Sequence, residues 1–379
     1  MLKIKTETLK TAVTKSVKGS SRLPMLLLTN CIGIEVKDGN LILTTTDGST
    51  NLEVTVKVNT NEEFYACTDS ALFASLVSKT TTDDIGLEIR NESLFFRGNG
   101  VYNLPLVQDE EGNTVRIPVD TNFDAETAVT VKKEDIIPLY KFNKLAVAKT
   151  KEIPQFSAYC VSHNRIYTYN TTNLCISKSK LGSFNMLLPA SVADLLALID
   201  EDEIQVVNTD SKFIIKSNTI FIQGTVVDGF EKFPIDAANQ LITPSNFSTK
   251  IELNTTQLVN VLDRMSLFIA PEDMNAINLT LTEDYLTITN RAGNGCEKLL
   301  YLSRPTGSPS LETCLDISDL KMVVSAVELD SVNIAFSDTG NACIELTNSY
   351  IVIPSISTEE EEQVEEEYVS EEVEVEDAE

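Results

Sequence analysis

One pattern of apolar and polar positions recurs three times along the chain. Each copy opens with a segment of helical period, continues as an alternating strand hairpin, then adds a short second helix and three more strands. In the first copy the apolar residues between Leu9 and Val17 fall on one helical face. Asp38-Gly39 supplies the turn of the following hairpin. The pattern predicts an α+β protein built from three tandem repeats of two helices packed on antiparallel strands.

The second and third copies repeat this order with their own helix signals. The second opening helix is predicted within residues 132–150 and the third within residues 254–268. Asn254 is a predicted N-cap, because Gln257 follows three residues later. The buried stripe of the third helix is predicted to consist of Leu258, Val261, Leu262 and Met265.

Domain boundaries follow from the spacing of the copies, which recur at about 120 residues, the size of one domain. The prediction is domain 1 at residues 1–120, domain 2 at 121–246, domain 3 at 247–357 and a tail at 358–379. Residues 117–127 and 235–250 are low in hydrophobicity and are predicted linkers. The tail contains thirteen acidic and no basic residues from Glu359 onward, a composition typical of disorder.

Composition narrows the class of protein. The chain has 379 residues, of which 42% are hydrophobic and 23% charged, as in folded globular proteins. No run of 18 apolar residues occurs, so no membrane partner is expected. The seven cysteines are scattered and never spaced C-x-x-C, which favours reduced thiols in a cytoplasmic protein over disulfides or a zinc site. The net charge of −27 opposes general binding to nucleic acid, because phosphate contacts need Lys and Arg.

The three repeats, with R-L-P-M-L-L-L before the first hairpin, D-G-N-L-I-L-T-T-T-D, V-V-D-G-F-E-K-F-P and the final Y-I-V-I-P, resemble the bacterial sliding clamp, the beta subunit of DNA polymerase III. The resemblance covers about residues 1–357, and its divergence suits a phage-encoded version. It implies a head-to-tail homodimer that forms a ring with helices inside and sheets outside. Such a ring would encircle duplex DNA without reading its sequence. It would bind DNA polymerase and the clamp loader through short peptide motifs, with no cofactor, metal or catalytic residue.

In such a ring the opening helices would face DNA, and basic residues in them support this expectation independently. The predicted DNA-facing residues are Lys10, Lys15, Lys18, Arg22, Lys141, Lys144, Lys149 and Arg264. The third opening helix offers only Arg264, so the basic lining would be uneven. An ordinary solvated helix face is the alternative explanation of these lysines.

The resemblance also implies a pocket for partner peptides between domains 2 and 3. Its predicted lining is Phe156, Leu174, Pro234, Ile351, Val352, Ile353 and Pro354. Residues 169–173 replace the T-D-G-H-R segment of the family, and Ala238 and Asn239 replace its arginine and valine, so the preferred motif is expected to differ. The alternative is that Leu174, Ile351 and Ile353 are core residues.

For the joint between subunits, the resemblance points to Tyr102 and Leu104 on an edge strand of domain 1. They would meet Leu267 and Phe268 after the third opening helix. An edge strand with such side chains is a pairing template unless it is covered. Placement of each residue in a core within its own domain is the alternative.

Other function classes have less support. His163 is the single histidine and lies in the turn S-H-N, so a histidine-based catalytic triad is not expected. The second hypothesis is a non-enzymatic structural or assembly protein of tandem α+β domains with an acidic interaction tail. The substitutions Lys10→Glu and Lys144→Glu together would impair a clamp and leave an assembly protein unaffected. The tail itself is either a solubilising extension or a repeller of DNA that favours basic partners, which deletion of residues 358–379 would distinguish at low and high salt.

Overall fold

The structure is a computed structural model that describes residues 1–21, 26–120, 126–150, 152–209, 211–270, 275–307 and 310–356. Arg22 and the acidic tail at 358–379 therefore lie outside the described residues.

The helices and strands follow the same order in all three repeats. The first repeat contains β1 (Leu2–Lys5), α1 (Thr6–Ser16), β2 (Cys31–Lys37), β3 (Asn40–Thr46), β4 (Thr50–Lys57), β5 (Phe64–Asp69), α2 (Ser70–Lys79), β6 (Asp84–Arg90), β7 (Ser93–Arg97) and β8 (Val101–Pro105). The second contains β9 (Val129–Lys132), α3 (Lys133–Lys141), β10 (Ala158–Ser162), β11 (Arg165–Tyr169), β12 (Leu174–Lys178), β13 (Met186–Pro189), α4 (Val192–Leu196), β14 (Glu203–Asn208), β15 (Lys212–Lys216) and β16 (Ile220–Thr225). After α5 (Ile235–Leu241), the third contains β17 (Thr249–Asn254), α6 (Thr255–Met265), β18 (Ala276–Leu281), β19 (Tyr285–Asn290), β20 (Cys296–Leu300), β21 (Leu311–Asp316), α7 (Ile317–Ser325), β22 (Ser331–Phe336), β23 (Ala342–Leu346) and β24 (Ser349–Ile353).

The prediction of three α+β repeats is confirmed, but each repeat has more strands than the pattern indicated. A strand precedes every opening helix, and four strands rather than a two-stranded hairpin separate the two helices of each repeat. The predicted hairpin segments exceed twenty residues, which is more than two strands of ordinary length can use. The second predicted linker is also partly helical, because it contains α5.

The described chain forms two compact units. Unit 1 comprises residues 1–140, 152–166 and 178–232, and unit 2 comprises residues 141–150, 167–177 and the described residues from 233 onward. These two units do not test the domain boundaries at 1–120, 121–246 and 247–357, which stay a prediction. No helix among the described residues is both long and apolar enough to span a bilayer.

Unit 1 contains two antiparallel sheets and a further strand pair. Their strand orders are β5-β2-β3-β4-β16-β15-β14-β9 and β1-β6-β7-β8, and β10 pairs with β13. Helix α1 packs against α2 and against β3 and β4, and it buries Leu9, Ala12 and Val13. Gly19 is the last residue of the short 3-10 turn after α1 and is buried. A Cβ atom there would lie 2.5 Å from Thr45 Oγ1, so close packing excludes a side chain.

Unit 2 contains the strand orders β12-β24-β23-β22-β17 and β20-β19-β18-β21. Helix α6 packs against α7 and buries the predicted stripe of Leu258, Val261, Leu262 and Met265, which is thereby confirmed. Each such side chain contributes about 1.5–3 kcal/mol by leaving water. The predicted cap is also confirmed, because Asn254 Oδ1 accepts a hydrogen bond of 2.9 Å from the Gln257 backbone N–H.

Candidate functional site

The opening helices position the predicted DNA-facing residues. In α1 the apolar face is buried, so Lys10 and Lys15 project from partly exposed positions and Lys18 is exposed in the short 3-10 turn that follows. Lys10 Nζ lies 3.3 Å from Glu7 Oε1, one helical turn away. Lys15 Nζ donates to Asp200 Oδ2 at 2.5 Å and to the Leu198 carbonyl oxygen at 3.1 Å. The Lys15 ammonium holds the pKa of Asp200 below its usual range, chiefly through this hydrogen bond.

Some predicted DNA-facing residues of unit 2 are likewise paired with carboxylates, and others are exposed. Lys141 Nζ lies 2.8 and 2.7 Å from the two carboxylate oxygens of Glu328. Arg264 forms a bidentate ion pair with Glu297, in which Nε donates to Oε1 at 2.7 Å and Nη2 donates to Oε2 at 2.5 Å. This pair raises the pKa of Arg264 and lowers that of Glu297. Lys144 and Lys149 are exposed.

Partner carboxylates therefore reduce the positive charge that the sequence indicated. Of the seven predicted cations within the described ranges, Lys10, Lys15, Lys141 and Arg264 are paired with acids. Sequence reasoning missed Asp200, Glu328 and Glu297, because two of them lie more than 180 residues from the lysine they contact. Lys18 and Lys149 are exposed and have no carboxylate partner among the residues with described placement. These two have the most freely available charge for an anion.

The predicted pocket residues of unit 2 gather where β12 pairs with β24. Leu174 is the cross-strand partner of Val352, and these two side chains are 6% and 3% exposed. Ile351 and Ile353 point to the other face of the strand, where they belong to the hydrophobic core of unit 2. Pro234 is exposed and Pro354 is half-buried. Phe156 is half-buried and lies in unit 1.

Hydrogen bonds from polar side chains surround the pair of β12 and β24. Asn170 Oδ1 accepts hydrogen bonds from the backbone N–H groups of Thr172 and Asn173, at 3.2 and 2.7 Å, and so shapes the turn before β12. Ser177 Oγ and Ser349 Oγ lie 2.7 Å apart across β12 and β24. Tyr167 donates its hydroxyl to Asn239 Oδ1 at 3.1 Å, and this hydrogen bond joins β11 to α5. Asn170 and Asn239 thus have structural roles in this chain.

The predicted subunit joint involves two sheet edges. Strand β8 is the edge of its sheet in unit 1, with Tyr102 43% and Val101 58% exposed. Leu104 is only 2% exposed and is a core residue of that sheet, so its side chain is not available to a partner. Strand β20 is the edge of its sheet in unit 2. Leu267 and Phe268 are 79% and 51% exposed in the turn after α6.

Sequence reasoning missed three apolar residues on these edges. Leu300 at the end of β20 is 72% exposed, and Leu302 beyond it is 55% exposed. Together with Val101 they extend both apolar edges. The signal in the sequence was weak, because an exposed and a buried leucine are alike until the strand order is known. Exposed apolar groups that cluster on an edge are typical of an interface.

Candidate groups for other chemistry are spread apart. His163 is exposed in the β10–β11 turn with φ of 52°, as predicted, and its Nδ1 lies 2.7 Å from Ser162 Oγ. Within the described ranges no group of three or more His, Cys, Asp or Glu side chains could hold a metal ion. Six of the seven thiols are buried, and burial raises the pKa of Cys160, Cys175 and Cys343 to about 12. Protonated thiols of this kind are poor nucleophiles.

The sequence was compared with curated proteins and with family models. It is 21% identical to the beta sliding clamp of Bacillus subtilis over 297 residues, covering 71% of this chain and 73% of that protein. It is 19% identical to the beta sliding clamp of Staphylococcus aureus over 350 residues, covering 86% and 89%. No family model matches the sequence.

The fold was compared with solved structures. The beta subunit of DNA polymerase from Streptococcus pyogenes superposes with a TM-score of 0.81 at 16% identity, covering 94% of this chain and 100% of that one. The DNA polymerase sliding clamp of Bacillus subtilis superposes with a TM-score of 0.79 at 17% identity, covering 94% and 99%. Both chains are spanned almost completely, so the likeness includes all three repeats. The protein thus has the fold of the bacterial beta sliding clamp, and its sequence resembles that family over most of its length.

Proposed function

We propose that this protein is a DNA sliding clamp, a processivity factor that encircles duplex DNA and tethers a replicative polymerase. The observation that carries the proposal is the full-length match of fold, which spans 99–100% of the solved clamp chains. A ring needs no catalytic group and no sequence readout, because enclosure replaces affinity. The protein is then a non-enzymatic, cytoplasmic factor, in keeping with its seven unbonded cysteines. Phage origin stays a prediction.

The assembly proposed is a head-to-tail dimer of three-domain subunits. Edge β8 of one subunit would pair with edge β20 of the other, which would bury Tyr102 against Leu267 and Phe268. Their exposure in the single chain supports this, since exposed apolar sheet edges otherwise promote aggregation. Leu300 and Val101 would extend the same contact.

The dimer is tested by light scattering across a range of protein concentrations. A species of twice the 41.8 kDa chain is expected. Leu267→Lys should yield a monomer, because a charge would replace an apolar side chain that is 79% exposed in the single chain. Leu329→Lys is the matched control, at an apolar position that is 59% exposed and lies outside both edges. Monomer at every concentration in the unmodified protein would contradict the ring and leave an assembly protein as the better account.

Two further surfaces belong to the proposal. DNA would pass by the opening helices, with Lys18 and Lys149 as the main cations. Lys144 is a further exposed cation, and Lys10, Lys15, Lys141 and Arg264 are cations shared with carboxylates. Polymerase and clamp loader peptides would bind beside Leu174, Val352, Pro234 and Pro354. Ile351 and Ile353 would support that site from the core of unit 2. Phe156 remains a predicted wall position.

A further inference from the structure

Unit 1 contains a cavity of about 370 Å³ beside the start of β4 and the end of β16. Asn51 and Gln223, which are cross-strand partners, line it together with Pro118 of the first linker. Leu26 and Leu27 form an apolar wall and are 59% and 61% exposed. The volume lies within the range of small ligand sites, roughly 300–1,000 Å³.

Two carboxamides give the cavity a defined polarity. Asn51 Nδ2 donates to the Pro118 carbonyl oxygen at 2.9 Å, and Gln223 Oε1 accepts from the Asp120 backbone N–H at 2.9 Å. These bonds fix the orientation of both amides. The opposite ends, the acceptor Asn51 Oδ1 and the donor Gln223 Nε2, have no partner among the described residues. Gln223 is only 6% exposed, so a ligand that covers its donor without offering an acceptor would cost free energy.

An acceptor and a donor side by side match one peptide group, which offers an N–H and a C=O. The residues lie directly opposite each other on neighbouring strands, where side chains are about 5 Å apart. Gly48, with φ of 95°, adds no side chain to the cavity wall next to Leu26. Lys212 is the one charged residue among the lining residues that the structure describes, and it already contacts Asp120 at 3.1 Å while remaining 50% exposed.

The same local construction recurs at the predicted partner pocket of unit 2. Asp47 Oδ1 accepts from the backbone of Ser49 and Thr50, just as Asn170 does in the turn before β12. The pair of Asn51 and Gln223 then corresponds to Leu174 and Val352, because Asn51 and Leu174 each follow the turn residue, Asp47 or Asn170, by four positions. The linker residues I-P-V-D at 117–120 correspond to F-P-I-D at 233–236. The unit 1 cavity is thus the repeat-related counterpart, with carboxamides in place of apolar side chains.

We propose that this cavity binds an extended peptide segment of a partner protein. One peptide group of the segment pairs with Asn51 Oδ1 and Gln223 Nε2, a leucine side chain packs on Leu26 and Leu27, and an acidic side chain approaches Lys212. The polarity of the lining selects this occupant, since a purely apolar ligand would leave the Gln223 donor unsatisfied. None of the described residues that line it belongs to the proposed subunit joint or to the predicted DNA-facing set.

The probe is the blocked tripeptide acetyl-Leu-Leu-Glu-amide, titrated into the full chain with leucine and valine methyl groups observed by NMR. Shifts are expected at Leu26 and Leu27 before any at Leu174 and Val352. Gln223→Glu keeps the acceptor for Asp120 N–H and removes the free donor, so affinity should fall about tenfold or more. Gln205→Glu, at an exposed position on β14 of the same sheet, is the matched control and should bind as the unmodified protein does.

A second variant guards against a folding defect in Gln223→Glu. Leu27 is exposed, so Leu27→Ser should fold normally and still weaken the peptide. The proposal would be overturned if Gln223→Glu and Leu27→Ser bound the peptide as tightly as the unmodified protein. Shifts confined to Leu174 and Val352, or no shifts at all, would also overturn it. Retention on DNA should be unchanged in Leu27→Ser, so failure of this site is distinguishable from failure of the clamp function.

Discussion

Reversing two charges on the opening segments should weaken DNA binding in a way that its salt dependence identifies. The perturbation is Lys18→Glu together with Lys149→Glu, because these side chains are exposed and not paired with carboxylates in the described structure. Lys10, Lys15, Lys141 and Arg264 make poorer targets, since each already contacts an acid. The experiment therefore removes charges that are available to phosphate.

The magnitude follows from counterion release. Each phosphate neutralised contributes about −0.9 to the slope of log K against log salt concentration. Losing two contacts per chain should reduce the steepness of that slope by about 1.8 per chain, which amounts to roughly a tenfold smaller loss of affinity per chain between 50 and 200 mM salt. Affinity at low salt should also fall, because two carboxylates now face the phosphates.

The assay is fluorescence anisotropy of a labelled linear duplex across a salt series. Lys37→Glu with Lys57→Glu is the matched control, since it makes the same charge change at exposed positions on β2 and β4. The control should lower affinity only slightly and preserve the slope. If both double variants changed the slope equally, the binding would reflect net charge alone and the assignment of Lys18 and Lys149 to a DNA-facing surface would fail.

Three further predictions concern stability and reactivity. Asn254→Ala should lower the free energy of unfolding by ~1 kcal/mol in urea denaturation, whereas Asn254→Asp should retain most of it, since only the first loses the cap to Gln257. Arg264 lowers the pKa of Glu297, so their pair stabilises the fold above the unfolded pKa of about 4.3. The difference in free energy of unfolding between the unmodified protein and Glu297→Gln should be constant above pH ~5.5 and shrink as the pH falls below ~4. A difference that grew on acidification would contradict the pairing. One thiol per chain, Cys296, should react rapidly with a maleimide in the native protein, and Cys296→Ser should abolish that fast phase; a second fast thiol would show that the burial of another cysteine is wrong.

Local signals in the sequence predicted the repeating elements well. The turn at Asp38-Gly39, with φ of 49° and 69°, and the cap at Asn254 depend on residues within a few positions of each other. The stripe of α6 follows from helical spacing alone. Such features are readable because their physical causes are local in sequence.

Features that depend on distant contacts were not predictable in this way. The partnership of Lys15 with Asp200 joins residues 185 positions apart, and no periodicity encodes it. Tyr102 and Leu104 are two positions apart and lie on the same face of β8, yet they are 43% and 2% exposed, and this difference depends on what packs over each of them. The carboxamide pair of Asn51 and Gln223 appears only when β4 and β16 are paired. Tertiary packing, which no local pattern in the sequence encodes, was the missing information in each case.

The central claim is that the protein encloses DNA. The most direct measurement binds the protein to nicked circular DNA on beads at low salt, washes at high salt, and then cuts the circle once with a restriction enzyme. Enclosure predicts that protein resists the wash on the circle and is released when the DNA is cut, because a ring slides off a free end while electrostatic contacts are screened. Protein that washes off the circle, or that stays bound equally after cutting, would contradict the account.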